Sequence, residues 1–245
     1  MLTKSEIKLV KSLKDKKVRE EFQLFVAEGK KLSSDLITAG MEIAKLFCKE
    51  ELLQEAPFSS ITDNCIQIVS NKEMEQLSAL QSVRDVVALV KIPTYSLPKQ
   101  LSQKLSLALD TIQDPGNLGT IIRLADWYGI EHIFCSEKTA DCYNSKVIQS
   151  SMGSIARVQV HYVNLENIFK KYALPVLAAD LAGTPIQQVE LIKPAILLIG
   201  NEGSGIHSLY NQYIQERISI PRIGEAESLN AAIACGIITH QLLFN

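Results

Sequence analysis

Five polar residues stand where this chain could do chemistry. Asn117 and Arg123 lie in "LDTIQDPGNLGTIIRLADWYGIEHIFCS" (109–136), Glu202 in "AILLIGNEGSGI" (195–206), and Ser228 and Asn230 in "ISIPRIGEAESLN" (218–230). A guanidinium offers a planar fork for a phosphate or a developing oxyanion. Amides and a carboxylate beside glycine turns can orient a hydroxyl or that arginine. The glycine spacing excludes two nucleotide cradles, because neither G-x-G-x-x-G nor G-x-x-x-x-G-K-[ST] occurs. Each residue also has a purely structural alternative. Asn117 and Ser228 can cap helices, and Arg123 can pair with Asp126 at i,i+3, which is worth little. Glu202 needs a hydrogen-bonding partner, and Arg123 is a candidate.

The elements that must position these residues alternate in the second half. Strand-like runs are "LSLALD", "HIFCS", "PVLAAD", "AILLIG" and "RISIP", and helical runs begin near Asn117, Asn144, Leu165, Ile206 and Leu229. Near-continuous apolar strands separated by helices predict a parallel sheet covered on both faces. Ligands of such sheets bind beyond the carboxyl ends of the strands, here 110–119, 200–205 and 221–228. Leu118, Ile121, Ile122, Ala125 and Tyr128 recur at helical spacing and face the core, which leaves Arg123 on the open side. Trp127 and Tyr128 read as packing residues and not as a base-stacking platform. The last helix is apolar nearly all round, with small Ala231, Ala232, Ala234 and Gly236, so it is expected to be buried and to admit another element or subunit closely.

In the first half, residues 3–20 have a helical pattern with Ile7, Val10 and Leu13 on one side. Lys8, Lys11, Lys14 and Arg19 stand among the basic residues that crowd the rest, either a solvated face or an electrostatic footprint for a phosphate backbone. "FQLFVAEG", "IAKLFCK", "CIQIVS" and "DVVALVKI" are strand candidates, with helices at "KKLSSDLITAG" and "NKEMEQLSAL". A small α/β unit is therefore expected before the proline-containing linker "PTYSLPKQLSQK".

Composition sets outer bounds. The chain has 245 residues, 47% hydrophobic, enough for one large or two ordinary domains. Its formal net charge of −2 means that a nucleic acid would be met by local patches. The odd cysteine set, Cys48, Cys65, Cys135, Cys142 and Cys235, has no C-x-x-C pair, so reduced thiols and a cytoplasmic location are expected. No apolar run spans a bilayer, and "MLTKSEIKLVKSLKDKK" lacks the apolar core of a signal peptide. His132, His161, His207 and His240 show no ligand spacing, so no metal is expected.

"DPGNLGTIIRLAD", "IGNEGSGI" and "IPRIGEAESLNAAIA" stand in the order of the three motifs of the SpoU (TrmH-type) RNA 2′-O-ribose methyltransferases, a branch of the SPOUT superfamily. The chain resembles that family over its second half, where "CYNSKVIQSSMGS" is similar too. More loosely, "LKDKKVREEFQLFVAEGKKLSSDLITAG" resembles the L30e-like substrate-binding domain of ribosomal-RNA members. The resemblance implies an α/β fold with an L30e-like RNA-binding domain (1–95), a linker (96–104) and a SPOUT domain with a deep trefoil knot (105–245). It implies S-adenosylmethionine as cofactor, with Gly200, Ile220 and Leu229 at cofactor-contacting positions. It further implies a homodimer, and Arg123, Asn117, Glu202, Ser228 and Asn230 as the catalytic set, with Lys8, Lys11, Lys14 and Arg19 as RNA contacts. The expected reaction is methylation of a ribose 2′-hydroxyl in ribosomal RNA. A tRNA substrate or a catalytically silent RNA-binding protein are the alternatives. The chain departs from the family at Arg222, commonly apolar, at Gln149, often basic, and at "QSVRDV" (81–86), usually Thr-Pro-x-Gly, departures that bear on substrate choice.

Overall fold

The computed structural model describes residues 2–78, 85–101, 105–190 and 192–244. Residues 81–84 and the linker residues 102–104 lie outside this set. Two compact units result, Met1–Thr94 with Tyr143–Ala156, and Tyr95–Cys142 with Arg157–Asn245. Against the expected division at residues 95 and 105, Tyr143–Ala156 therefore joins the first unit.

In the first unit the basic segment forms two helices where one was expected. Helix α1 (Lys4–Ser12) opens with a Thr3–Glu6 capping box, and α2 (Lys16–Phe22) with Asp15, whose side chain accepts from Lys17 N at 2.9 Å. Asp15 thus ends one periodicity and starts the next. Val10 and Leu13 are buried, and Lys8, Lys11 and Lys14 are exposed. Arg19 does not join them. It is 3% exposed, and its Nη1 donates to the carbonyls of Leu13 and Lys14 at 2.7 and 2.8 Å. These carbonyls follow the end of α1, where helical partners run out. In this unit Arg19 closes the end of α1.

The sheet of this unit holds β1 (Leu24–Glu28), β2 (Ile43–Cys48), β3 (Ile66–Ile68) and β4 (Val86–Lys91) in the order β1-β4-β2-β3. Strand β4 is antiparallel to β1 and β2, while β2 and β3 run parallel. Helix α3 (Lys30–Thr38) ends before Gly40 at φ +79, and α4 (Asn71–Leu77) carries a Ser70–Glu73 capping box. One core cluster joins Val10, Leu13, Phe47, Met74, Leu77 and Val87. Tyr143 stacks on Phe25 at 5.0 Å between centroids, and Gln149 Nε2 on the helix Ser145–Ser151 donates to Glu28 O at 3.1 Å. These contacts hold 143–156 in this unit.

The second unit contains β5 (Leu105–Leu109), β6 (His132–Cys135), β7 (Gln159–Tyr162), β8 (Val176–Pro185), β9 (Ala195–Ile199) and β10 (Ile214–Ser219). Their order is β10-β8-β9-β5-β6-β7, and every pair is parallel. Strand β7, "QVHY", adds to the five expected runs. Its helices are α5 (Pro115–Trp127), α7 (Leu165–Tyr172) and α8 (Ala231–Phe244), α6 being the helix Ser145–Ser151 of the first unit, and near Ile206 only a 3-10 helix, Ser208–Tyr213, forms. Ala108, Phe134, Ile196 and Leu198 pack against Ile168 and Phe169 of α7. By strand alternation Leu107, Ile133 and Leu197 face the other way, the side where α5 and α8 pack together and against β6 and β9. Strand β8 makes an excursion: Arg217 pairs with Ala178, but Ile218 pairs with Thr184. At the sheet edge a buried pair, His132 Nδ1 and His161 Nε2, meets at 3.3 Å. Burial pushes both imidazoles down, and with His132 and Lys171 nearby His161 falls to about 4.

Candidate active site at the carboxyl ends of the second sheet

Helix α5 starts directly beyond β5, and its N-cap is Asp114, which accepts from Asn117 N at 2.8 Å; Pro115 follows at the first helical position. With that cap in place, the Asn117 side chain is released from the capping role that sequence alone left open. Beyond β9, Asn201 and Gly205 form an isolated bridge, N to O at 3.1 and 2.9 Å, which closes a tight turn. Asn201 Oδ1 accepts from Gly203 N at 2.9 Å and Ser204 N at 3.1 Å. Glu202 therefore sits on a stiffened tip. Gly205 supplies a φ of +67, and a Cβ on Gly200 would lie 2.5 Å from the Gly205 carbonyl carbon, so glycine at 200 is required by the loop's own close approach.

The third segment reaches the first through α8. Asn230, and not Ser228, caps this helix: its Oδ1 accepts from Ala232 N at 3.0 Å and Ile233 N at 3.3 Å. The helix accordingly begins at Ala231, two residues after the expected start. Capping fixes the amide so that Nδ2 points outward, and it donates to Asn117 Oδ1 at 2.8 Å. Asn117 Nδ2 in turn donates to Glu202 Oε1. One directional relay, Asn230 to Asn117 to Glu202, thus links residues 113 and 85 positions apart. Ser228 is exposed and makes no hydrogen bond among the described residues.

Arg123 is exposed on α5, and its side chain has no hydrogen bond or ion pair among the described residues. Glu202, offered by sequence as its partner, is held by Asn117 instead. Asp126, the structural alternative, is engaged by Arg157 through Nε at 3.0 Å and Nη2 at 2.6 Å. Trp127, expected to pack, is 82% exposed on the same face, four residues along, while Tyr128 packs with His240 and Phe244.

Gly200 and Ile220 follow the ends of β9 and β10, and Leu229 precedes α8. Between Ile220 and Leu229 no main-chain group bonds another main-chain group among the described residues, and one carbonyl, Ala226 O, accepts from the Arg222 side chain through Nη1 at 3.1 Å. Such a run of unused backbone donors and acceptors fits a ligand recognised by main-chain groups. Among the described residues no group of three or more His, Cys, Asp and Glu is placed to hold a metal ion, and no helix is long and apolar enough to cross a membrane.

Residues 104–240 match the SpoU rRNA Methylase family. The chain belongs to that family. Residues 4–88 match the MRM3-like substrate binding domain. The chain is 28% identical over 241 residues to the Bacillus subtilis 23S rRNA (guanosine(2553)-2′-O)-methyltransferase RlmP, covering 97% of this chain and 95% of that protein. It superposes on an AdoMet-bound rRNA methyltransferase from Sinorhizobium meliloti with a TM-score of 0.88 and 30% identity over 99% and 95% of the two chains. A TrmH-family protein from Porphyromonas gingivalis gives 0.88 and 33% over 99% and 98%. The relay thus joins the three motifs of a SpoU enzyme. Asp110, Thr111, Asn201 and Arg157 also shape the site. Of these, only the aspartate closing the apolar run "LSLALD" carried a readable signal, a carboxylate at a strand end.

Proposed function

We propose that this SpoU enzyme transfers the methyl group of S-adenosylmethionine to a ribose 2′-hydroxyl of ribosomal RNA. The observation that carries the reading is the relay Asn230–Asn117–Glu202, which assembles three distant motifs at the carboxyl ends of the sheet. S-adenosylmethionine would supply the methyl group and leave as S-adenosylhomocysteine, and Gly200, the backbone of Ile220–Leu229 and the end of β10 would hold it. Asn117 orients the Glu202 carboxylate, whose Oε2 is left to accept a hydrogen bond from the ribose hydroxyl. Glu202 Oε2 would take the hydroxyl proton, while Arg123 binds the adjoining phosphate and stabilises the developing alkoxide, because a guanidinium remains protonated and is a poor base. Ser228 is assigned to the substrate on resemblance alone. RNA is selected because only RNA presents the 2′-hydroxyl.

The finer architecture belongs to the same proposal. The chain from β10 into α8 completes a trefoil knot, and the first unit is an L30e-like domain that meets RNA through Lys8, Lys11 and Lys14, while Gln149 is engaged with Glu28. The protein acts as a cytoplasmic homodimer. Helix α8 buries Ala231, Cys235 and Ile238 but leaves Ile233, Ile237 and Phe244 exposed, an apolar second face that a partner subunit would cover.

The test is single-turnover methylation of total RNA from a strain lacking the enzyme, with the modified nucleotide mapped. Arg123→Ala is expected to lower the rate by about 10²-fold or more while cofactor affinity holds. Arg123→Lys recovers little of it, since an ammonium lacks the fork. A wild-type rate in Arg123→Ala would remove Arg123 from the site.

A further inference from the structure

We propose that Asp110, acting with Thr111, is the positioning residue that holds the Glu202 turn at its working place; the inference rests on the reading of Glu202 above. Strand β5 ends at Leu109, and the next residue is a carboxylate only 4% exposed. A buried carboxylate persists when hydrogen bonds replace its water. Here Oδ2 accepts from His207 N at 2.8 Å, and Oδ1 accepts from Thr111 Oγ1 at 2.9 Å. Asp110 N itself donates to Ile199 O at 2.9 Å, at the end of β9.

His207 lies just past the loop that carries Glu202, so Asp110 fastens the far end of that loop. The near end is fastened by Asn201 Nδ2, which donates to Thr111 O at 3.0 Å. Both fasteners therefore converge on two adjacent residues of the neighbouring strand end. Thr111 has φ +59, a left-handed conformation that a β-branched residue rarely adopts. It is held there by Ser136 Oγ, which accepts from Thr111 N at 2.8 Å, and by its own hydroxyl on Asp110. A strained residue held this firmly beside a site is a sign of function, because glycine would give the conformation without strain but not the hydroxyl. The clasp leaves Gly200 alone, since Gly200 continues directly from β9, which main-chain pairing holds to β5.

The experiment measures single-turnover methylation at saturating RNA and S-adenosylmethionine affinity by calorimetry, for Asp110→Asn alone and combined with Glu202→Gln. Asparagine keeps the shape but faces two donors with one remaining acceptor oxygen. The rate is expected to fall about tenfold or more, with cofactor affinity within about threefold, and the second change to add less than about twofold in the Glu202→Gln background, because residues acting through one another are not additive. Thr111→Ala, which eases the strain and lacks the hydroxyl, repeats the loss, and Thr111→Ser restores the rate. That pair decides the matter by the same criteria if Asp110→Asn fails to fold. A wild-type rate in Asp110→Asn or Thr111→Ala, fully additive losses, or rate and cofactor affinity falling together would each overturn the role of Asp110. Wild-type turnover in Glu202→Gln is a different result, and it overturns the reading of Glu202.

Discussion

Asn230 does two jobs with one amide, and a single substitution separates them. Its Oδ1 caps α8, and its Nδ2 donates to Asn117. Asn230→Ala removes both, and loss of the cap costs about 1 kcal/mol. In a chain of this size that lowers Tm by about 2–4 °C. Asn230→Asp keeps the cap, since Asp and Asn cap about equally well, and adds a negative charge at a helix N-terminus worth about 0.3–1 kcal/mol. Its Tm should match or exceed that of the wild type. The new carboxylate, however, can only accept, so it meets Asn117 Oδ1 oxygen to oxygen. If Asn117 rotates its amide to satisfy it, Oδ1 turns on Glu202 Oε1, and the relay is broken one step further on. Glu202 is displaced in either case, and misplacement of about 1 Å can cost about 10²-fold in rate. Thermal melting alongside single-turnover methylation reads both effects: Asn230→Asp should be as stable as the wild type and about 10²-fold slower. A stable Asn230→Asp that methylates at the wild-type rate would show that the relay does not position Glu202.

Three further outcomes are expected. Arg19→Ala removes a buried guanidinium from two carbonyls and should destabilise the first unit by about 2–3 kcal/mol, read by denaturant midpoint, with Arg19→Lys in between. Replacing Lys8, Lys11 and Lys14 together with Ala should weaken RNA binding and flatten its dependence on salt, measured by titration at several salt concentrations, with methylation at saturating RNA unchanged. His161 is held neutral in the fold, at about 4 against 6.5 for the free imidazole, so the unfolded chain binds the extra proton between these values. Stability from this group is thus full above about pH 6.5 and declines as pH falls toward about 4, by about 2 kcal/mol at pH 5. His161→Gln should flatten that slope in chemical unfolding, and an unchanged slope would contradict it.

The alternation of apolar strands and helices was legible in the second half because parallel strands buried on both faces read as continuous apolar runs. Strand β7 escaped because it is short and two of its four residues, Gln159 and His161, are polar, the histidine being buried against His132 and Phe134. The region near Ile206 resembled a helix start, yet its one polar anchor, His207, is tied to Asp110, and only 3-10 turns follow. Arg19 shows the limit of counting charge, since nothing local distinguishes a lysine that meets solvent from an arginine that closes the preceding helix. For the site, the candidate residues were readable, but their connections were not. Asn117, Asn230 and Ser228 are all good caps in sequence, and only the fold shows that Asp114 and Asn230 take those roles and leave Asn117 as the link.

The long reach of the relay has a consequence for when the enzyme comes into being. Asn117 is made early, yet its partners lie 85 and 113 residues later, and the second of them is the cap of the final helix. Contacts of such separation close late, because the entropy of the intervening chain is lost before they form. During synthesis β5 and α5 can form before Asn230 exists to hold Asn117. On the proposed role of Glu202, a chain that has not yet reached Asn230 lacks the relay that positions it.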